Sequence, residues 1–273
     1  MGIIIGGNTL SGTNFNSLGE TPSTPNMVTD GLVFHLDAGN NSSFINSSNY
    51  YDCGYGCQYY SSNPGCTNCN TQWKDMSGFG NDANMSSSSM INYSNFGGAM
   101  NFNGSNLGTI PYSSTSMNFS AAQTICMWFR PGSGSTGARR NLYDQAYGGS
   151  GTLTHEPGTE INYYFGTNGG NSDPYVGIGS GFGVNTNELA FITVTRSQSQ
   201  NICRWYKNAV KFTDTTAGGY ASVTNSTNPI RIGLGYTGSY YLGDIYVVSV
   251  YNKFFTDAEV LQNFNNGRQR FGI

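Results

Sequence analysis

Charge is scarce in this sequence. Asp, Glu, Lys and Arg make up 10% of its 273 residues, against roughly 25% in an ordinary globular protein. The formal net charge is −3 at pH 7, and Arg139-Arg140 is the one adjacent basic pair, which we interpret as a solvated loop end. A nucleic-acid partner would require a basic face, so the composition excludes that class of function.

Long apolar runs are missing as well. The sequence contains no run of about 18 apolar residues, the length that would predict a membrane-spanning helix, so we expect no membrane insertion. Residues 2–7 are apolar, but they are too few for the core of a secretion signal and follow no basic segment. We therefore expect a protein made in the cytoplasm without a signal peptide and released by another route.

In their place the chain has a series of short segments in which apolar and polar residues alternate. Gly, Asn, Ser or Thr separates nearly every segment from the next. The predicted strands cover residues 32–37, 99–102, 108–112, 124–130, 141–147, 161–165, 175–178, 189–196, 202–206, 210–212 and 230–234. Many short strands with no helix between them predict an all-β fold, an antiparallel two-sheet jelly-roll sandwich.

One more strand precedes the only predicted helix. Residues 242–251 are apolar on both faces, which places this strand in the middle of a layered structure. The alternation predicts Ile245, Val247 and Tyr251 on one face, and Tyr246, Val248 and Val250 on the other.

The C-terminal helix has a clear start signal. Thr256 and Glu259 have the spacing of a capping box, with Phe255 and Val260 at the two staple positions around it. Gly267 is placed to end the helix. We therefore predict one short helix of about ten residues.

Residues 1–27 cannot build a core of their own, because Gly, Asn, Ser, Thr and Pro dominate them. Their apolar patch is Ile3, Ile4 and Ile5. Two interpretations remain open: a disordered tail, or an anchoring arm whose tip adds a strand to a partner or to a sister subunit. Three consecutive β-branched residues are costly to expose, which favours docking and a homo-oligomer. The folded domain is then residues 28–273.

Residues 40–72 form a polar insertion that is rich in tyrosine and cysteine. Its four cysteines are Cys53, Cys57, Cys66 and Cys69. Two disulfides would staple a loop that lacks a core, whereas four thiolates at this spacing could hold a structural Zn²⁺. The two chemistries suit oxidising and reducing compartments respectively, and both stay open, with free thiols as a third case. Cys126 and Cys203 lie in apolar strands and are predicted to be buried.

Several motifs then point to one family. They include Gly31-Leu-Val-Phe-His-Leu-Asp-Ala, Trp73-Lys-Asp-Met-Ser-Gly-Phe-Gly-Asn-Asp-Ala, residues 97–105, 124–131, 191–196, 205–209 and 229–233, and the closing strand with its helix. In this order, over residues 28 to 267, they resemble the concanavalin A-like lectin/glucanase superfamily in its laminin G-like form. Ala209 departs from the pattern, because the family usually has Gly there. The resemblance implies two curved antiparallel sheets with loops at their rim.

The resemblance also implies two kinds of binding site. Many laminin G-like domains bind Ca²⁺ through oxygen ligands at the rim, which makes Asp37, Asp75, Asp82 and Asp244 candidate ligands; the alternative is that these residues form Asx turns. Glycan binding would use aromatic side chains on the concave face. The candidates are Tyr143, Tyr147, Tyr163 and Tyr236, with Tyr164 and Tyr175 on neighbouring positions; the alternative is that these tyrosines pack at core edges.

Glucanase relatives carry two glutamates and an aspartate alternating on one strand. Glu156 and Glu160 are the nearest match in this chain, and a shared strand face would suit a retaining glycosidase. Pro157 and Gly158 argue against a strand there, and Gly158 takes the place of the aspartate. We therefore expect no enzyme activity.

The arm, the uncharged polar surface and the lectin-like sandwich favour a virion structural protein, either a capsid decoration or a tail adhesin of a tailed bacteriophage. In this hypothesis residues 1–27 bind other virion proteins, the sandwich faces a host-surface glycan, and host lysis releases the protein. Two alternatives stay open: a glycan-binding module of a cell-surface or secreted system, and an active or degenerate glycosidase. The candidate cofactors are structural Zn²⁺ and Ca²⁺.

Overall fold

The computed structural model describes residues 26–40, 42–43, 71–87, 90–216 and 222–273. It also describes the backbone of four two-residue strands: β1 (Ile4–Ile5), β2 (Asn8–Thr9), β4 (Tyr51–Asp52) and β5 (Gln58–Tyr59). Strand β1 pairs with β2, and β4 with β5, both antiparallel. Ile3 and the clustered cysteines Cys53, Cys57, Cys66 and Cys69 lie outside the described residues, so the anchoring and cysteine hypotheses stay predictions.

The remaining elements are nearly all strands. They are β3 (Leu32–Asp37), β6 (Gln72–Trp73), β7 (Ala83–Met85), β8 (Ile91–Asn92), β9 (Ala99–Asn103), β10 (Gly108–Ile110), β11 (Ala122–Pro131), β12 (Arg140–Ala146), β13 (Gly151–His155), β14 (Glu160–Gly166), β15 (Tyr175–Gly183), β16 (Ala190–Ser197), β17 (Ile202–Lys207), β18 (Val210–Thr216), β19 (Ile230–Ile232) and β20 (Leu242–Tyr251). A 3-10 turn spans Ser135–Gly137, and the helix α1 spans Asp257–Phe271. Among the described elements, no helix combines the length and the apolar character needed to cross a membrane.

Two antiparallel sheets form the sandwich, and the predicted fold class is confirmed. One sheet has the strand order β15-β14-β13-β12-β19-β10-β7-β6, and we call it the site sheet. The other has the order β18-β17-β16-β11-β20-β9-β8, with β3 also paired to β20, and we call it the helix sheet because α1 packs on its outer face. The main core lies between the sheets and is built from side chains such as Phe34, Phe102, Ile125, Phe129, Leu153, Ile161, Ile192 and Ile230.

Strand β20 is buried on both faces as predicted, but the face assignment needs one correction. Ile245 joins Val248 and Val250 in the main core, while Tyr246 lies with Val247 and Tyr251 under α1. The register with β11 shifts here, because Trp128 pairs with Val247 and Phe129 pairs with Ile245. A β-bulge adds one residue and reverses the alternation, so Ile245 and Tyr246 exchange their predicted faces.

The helix confirms the capping box and corrects its predicted end. Thr256 and Glu259 make both hydrogen bonds of the box, and α1 continues to Phe271, with Gly272 as the C-cap at φ 72°. Gly267 therefore lies inside the helix. A Cβ at this position would come within 2.7 Å of Trp128 Nε1, so glycine is required by the close approach of the helix to the sheet.

Replacing Thr256 with alanine is expected to lower the free energy of unfolding by about 1 kcal/mol. The change removes the side-chain acceptor of the Glu259 backbone N–H, which lies 3.3 Å away, and leaves that donor to water. Urea denaturation measures the loss. Thr256→Ser keeps the acceptor and is the matched control, so equal losses in the two variants would contradict the capping role.

The two cysteines in the strands are buried, as predicted. Cys126 and Cys203 are free thiols in the interior. Burial raises the pKa of Cys126 to about 11 and that of Cys203 to about 12. Both are therefore thiols rather than thiolates at neutral pH and take part in packing.

Candidate functional site

Two of the predicted glycan-binding tyrosines lie in the core, which corrects that prediction. Tyr143 and Tyr163 are buried between the sheets. Gln123 Nε2 donates to the Tyr143 hydroxyl (3.3 Å), and the Tyr163 hydroxyl donates to Gln123 Oε1 (2.6 Å). A ring that is enclosed in this way cannot stack on a sugar. Strand parity is the physical reason: because Tyr163 faces inward, its neighbour Tyr164 faces outward.

The outer face of the site sheet carries polar and aromatic side chains. Strand register places them in two rows, one of Asn141, Thr154 and Asn162, and one of Asp144, Thr152 and Tyr164. We call these two rows, together with Arg139, Tyr147, Glu156 and Tyr175, the polar face. Seven of these ten residues are buried although they lie on the outer face of the sheet.

Strand β15 leaves room for the polar face. From Val176 to Gly183 every second residue is glycine, and the residues between the glycines point inward. A Cβ at Gly177 would lie 2.6 Å from the Tyr164 ring, and one at Gly179 would lie 3.3 Å from Asn162 Oδ1. Because these glycines have no side chains, the outward side chains of β14 can lie across β15. Glycine in a strand interior often marks such a close approach.

Three tyrosine rings form a cluster at one end of the polar face. The ring centroids of Tyr147 and Tyr164 are 5.1 Å apart, and Tyr175 lies 5.8 and 5.9 Å from the two. The Arg139 guanidinium lies 5.2 Å from the Tyr164 centroid, within the range of a cation–π contact. Tyr147 was a predicted site residue, and it lies in this cluster with Tyr164 and Tyr175.

Glu156 holds the cluster together. Its Oε1 accepts hydrogen bonds from Thr154 Oγ1 (2.6 Å) and from the Tyr164 hydroxyl (3.2 Å). Its Oε2 accepts from Arg139 Nε at 2.9 Å, and Arg139 Nη2 donates to the Tyr164 hydroxyl at 3.0 Å. Arg139 lies in the loop before β12 with its side chain 43% exposed, which confirms the predicted solvated loop end, and it also pairs with Glu156. The carboxylate neutralises it, so this part of the polar face carries no net charge.

Two amide oxygens of the polar face accept no hydrogen bond from any described residue. They are Asn141 Oδ1 and Asn162 Oδ1, and both atoms are buried. The corresponding amide nitrogens donate to the hydroxyls of Tyr147 (3.1 Å) and Tyr164 (3.3 Å). Because the Tyr164 hydroxyl already donates to Glu156, it can only accept from Asn162, which fixes the orientation of that amide. A buried acceptor without a donor costs free energy.

The loop between β19 and β20 forms a rim beside Asn141. Gly235 packs directly on the Asn141 side chain, where a Cβ would not fit. Ser239 O accepts the Asn141 backbone N–H at 3.0 Å. Tyr236 follows Gly235 in this loop and is 60% exposed. Of the four predicted glycan-binding tyrosines, Tyr236 is thus the one with a solvent-accessible ring.

A buried carboxylate completes the second row. Asp144 Oδ1 accepts a hydrogen bond from Thr152 Oγ1 at 2.6 Å. Burial raises the pKa of Asp144 to about 6, against the opposing effects of Thr152 and of the Arg231 charge. Sequence reasoning missed Asp144, because nothing in the local pattern shows that an aspartate on an outer strand face is covered. A perturbed carboxyl group in a polar surface is typical of functional sites.

The two glutamates of the glucanase comparison do not share a strand. Glu156 follows β13 and Glu160 begins β14, and Thr159 turns the chain between them with φ 86°. The predicted break at Pro157 and Gly158 is thus confirmed. His155 beside them is buried, with Nε2 2.9 Å from Val184 O.

Two of the four predicted calcium ligands lie together in one turn. Asp82 Oδ1 accepts the backbone N–H of Asp75 at 2.8 Å. The Asp75 carboxylate accepts backbone N–H groups of Ser77 (2.9 Å) and Asn81 (3.0 Å), and Lys74 Nζ lies 2.8 Å from Asp82. These contacts match the Asx-turn alternative.

The other two predicted calcium ligands are ion-paired elsewhere. Asp37 pairs with Arg270, and Asp244 lies 2.6 Å from Arg130 Nη2. In the part of the chain that the structure describes, no three His, Cys, Asp or Glu side chains are grouped as a metal site requires. Calcium binding stays a prediction that these contacts do not favour.

Several solved structures share the fold at low identity. The binding domain of Paraclostridial Mosquitocidal Protein 1 has a TM-score of 0.61 at 17% identity, with 86% of this chain and 52% of that chain covered. The binding domain of botulinum neurotoxin serotype C1 has a TM-score of 0.59 at 13% identity, with 87% and 52% covered. Domain 4 of AbnA, an extracellular arabinanase from Geobacillus stearothermophilus, has a TM-score of 0.58 at 13% identity, with 85% and 97% covered. This chain spans about half the length of the two toxin domains, and such identities show the fold alone.

The family comparison agrees with these structures. No curated protein sequence matches the chain. A laminin G model, described as concanavalin A-like lectin/glucanases superfamily, matches residues 102–261, more than half of the chain. The match includes β12 to β15, which carry most of the polar face. The chain therefore belongs to the concanavalin A-like lectin/glucanases superfamily.

Proposed function

We propose that this domain binds a neutral carbohydrate on the polar face and does not hydrolyse it. The observation that carries the proposal is the group of tyrosine rings beside polar side chains on one outer sheet face, with Tyr175 37% exposed in the cluster and Tyr236 60% exposed at the rim. A pyranose or furanose ring presents apolar C–H groups that pack on aromatic rings. Its hydroxyls both donate and accept hydrogen bonds.

The charge distribution favours a neutral sugar over an acidic one. Arg139 is the cation nearest to the tyrosine cluster, and Glu156 already pairs with it. An added carboxylate or sulfate would compete with Glu156 and would lie close to a second negative charge. A neutral sugar avoids that repulsion.

One of the similar structures supports a carbohydrate ligand. Domain 4 of the Geobacillus stearothermophilus arabinanase was crystallised in complex with arabinotriose, and this chain covers 97% of that domain. At 13% identity the likeness transfers no residue roles. It shows that a domain of this size and fold accommodates a neutral oligosaccharide.

The contacts of Glu156 favour binding without hydrolysis. A general acid must release its proton to a leaving group, whereas this carboxylate is held by Thr154, Tyr164 and Arg139. Glu160 lies across the turn from it, and its Oε1 accepts from Gly181 N at 3.4 Å. Turnover of a β-glucan by the wild-type protein that Glu156→Gln abolishes would contradict this part of the proposal.

A glycan array tests the proposal with a matched pair of variants. Tyr236→Ala is expected to weaken binding to the neutral oligosaccharides that the wild type binds by about tenfold, or about 1.4 kcal/mol, because it removes the exposed ring at the rim. Phe79→Ala is the control, since Phe79 is 59% exposed, against 60% for Tyr236, but lies in the loop before β7. Absence of wild-type binding to every neutral glycan, or equal weakening in both variants, would refute the assignment.

The location on a virion is a further proposal, supported by the arm of residues 1–27, the uncharged polar surface and the lectin-like sandwich. If the arm anchors the domain, deleting residues 1–27 is expected to abolish recruitment to phage particles while glycan binding persists. Retained recruitment would show that the anchor lies elsewhere. A glycan-binding module of a cell-surface or secreted system remains the alternative, and it shares the same polar face.

A further inference from the structure

A second candidate site lies on the opposite side of the sandwich, between α1 and the helix sheet. It is a crevice of about 90 Å³. Its walls are aromatic and polar, and they include His35, Trp128, Ser249, Asn266, Gly267 and Phe271. A water molecule takes up about 30 Å³ of liquid, and an engineered cavity of about 150 Å³ holds benzene. The crevice therefore has room for a ligand of about three carbon atoms.

Two hydrogen-bonding atoms in buried walls of the crevice have no partner among the described residues. His35 is 9% exposed, and its Nδ1 lies 2.8 Å from Ser249 Oγ, which leaves Nε2 without a partner. Trp128 is 2% exposed, and its indole N–H, which faces Gly267, donates to no described acceptor. A ligand that hydrogen-bonds to both atoms must pair with an indole N–H donor and with an imidazole nitrogen. A hydroxyl group does both, because it donates and accepts.

The charges around the crevice exclude an ionic ligand. Arg270 and Asp37 are its charged wall residues, and they pair with each other. Two further Arg270 donors bind Phe96 O and Gly98 O, each at 2.6 Å. No charge is left to compensate an added ion, and an uncompensated charge in such a site would be costly.

We propose that this crevice binds a small neutral polyol, or the hydroxymethyl end of a larger one, between the Trp128 indole N–H and His35 Nε2. The aromatic walls contact the C–H groups of the ligand, and the two nitrogens bind its hydroxyls. The polar face lies on the other sheet, so this site is independent of the proposed carbohydrate site. Either one can fail without the other.

Glycerol is the probe, and NMR of the tryptophan indole N–H groups is the measurement. The chain has three tryptophans, and Nε1 of both Trp73 and Trp205 is buried in the core. We expect the Trp128 cross-peak alone to move and to saturate, with a Kd of about 10 to 100 mM, because a ligand of six non-hydrogen atoms gains little free energy. Equal movement of all three cross-peaks, or no saturation up to about 1 M, would overturn the proposal and leave a crevice occupied by water alone.

Two variants test whether the glycerol-induced shift of the Trp128 cross-peak arises from binding in the crevice. Gly267→Ala places a Cβ 2.7 Å from Trp128 Nε1 and is expected to abolish the glycerol shift. His35→Phe keeps a planar ring but removes both ring nitrogens, and it is expected to weaken glycerol binding at least tenfold while Trp128 remains as reporter. If Gly267→Ala does not fold, His35→Phe alone tests the site. Unchanged glycerol affinity in folded His35→Phe would refute the site.

Discussion

Replacing Trp128 with alanine is expected to lower the free energy of unfolding by about 3 to 5 kcal/mol. The indole lies on the outer face of the helix sheet, where its ring centroid is 4.3 Å from that of Phe271 and 5.6 Å from that of Phe264. Both phenylalanines belong to α1. Truncation at this point leaves a cavity and removes the main aromatic contact that holds the helix on the sheet.

Urea denaturation followed by circular dichroism measures this loss. Leu261→Ala is the matched control, since Leu261 also belongs to α1 but is exposed. We expect the control to change stability by no more than about 0.5 kcal/mol. A loss below about 1 kcal/mol in Trp128→Ala would mean that α1 does not depend on the helix sheet for its stability.

Replacing Asp144 with asparagine is expected to stabilise the protein at alkaline pH, by up to about 3 kcal/mol at pH 8. The folded-state pKa of Asp144 is raised to about 6, above about 3.9 in an unfolded chain. A raised folded pKa contributes stability that is fully present below about pH 3.9 and is lost as the pH rises through 6. Asparagine stays neutral throughout and can still accept the Thr152 hydrogen bond, so it avoids that loss.

The difference between Asp144→Asn and the wild type should therefore depend on pH. Denaturation curves at pH 3 and pH 8 are expected to show almost no difference at the lower pH and the full gain at the higher. Asp30→Asn is the control, because Asp30 is an exposed carboxylate in a surface pair with Lys253, and such pairs contribute about 0 to 1 kcal/mol. An equal gain at both pH values would show that ionisation of the Asp144 carboxyl does not destabilise the folded protein.

The strands were predictable because their signal is local. Alternation in residues 202–206 reflects one more deeply buried face, and the structure has β17 there. The predicted segment 189–196 matches β16, which is buried on both faces. Strand β13 was missed, because Gly151–His155 is short and mostly polar on its outer side. The length of α1 was also missed. Gly267 has the sequence signature of a helix end, and only its contact with Trp128 explains a glycine inside the helix.

The candidate site was predictable in kind but not in its residues. Tyr163 and Tyr164 are adjacent, so composition alone cannot decide which of them faces the core. The alternating glycines of β15 could have indicated the answer. A strand face without side chains leaves space that the large side chains of the neighbouring strand can fill on that face. Asn141 and Asp144 are on the polar face together only because β12 contains a register shift between Asn141 and Tyr143. Bulges of this kind depend on pairing partners that are distant in sequence.

The alternating glycines also bear on solubility. Strand β15 is the last strand of the site sheet, and such an edge can recruit a strand from another molecule and start aggregation. Glycine is a poor strand former, and Thr213 Oγ1 of β18 lies 3.3 Å from Ser180 O on this edge. Changing Gly177 or Gly181 to valine would thus do more than crowd Tyr164 or Thr213. It would raise the β-propensity of this edge, so the glycines that make room for the polar face also lower the tendency of the edge to pair with another molecule.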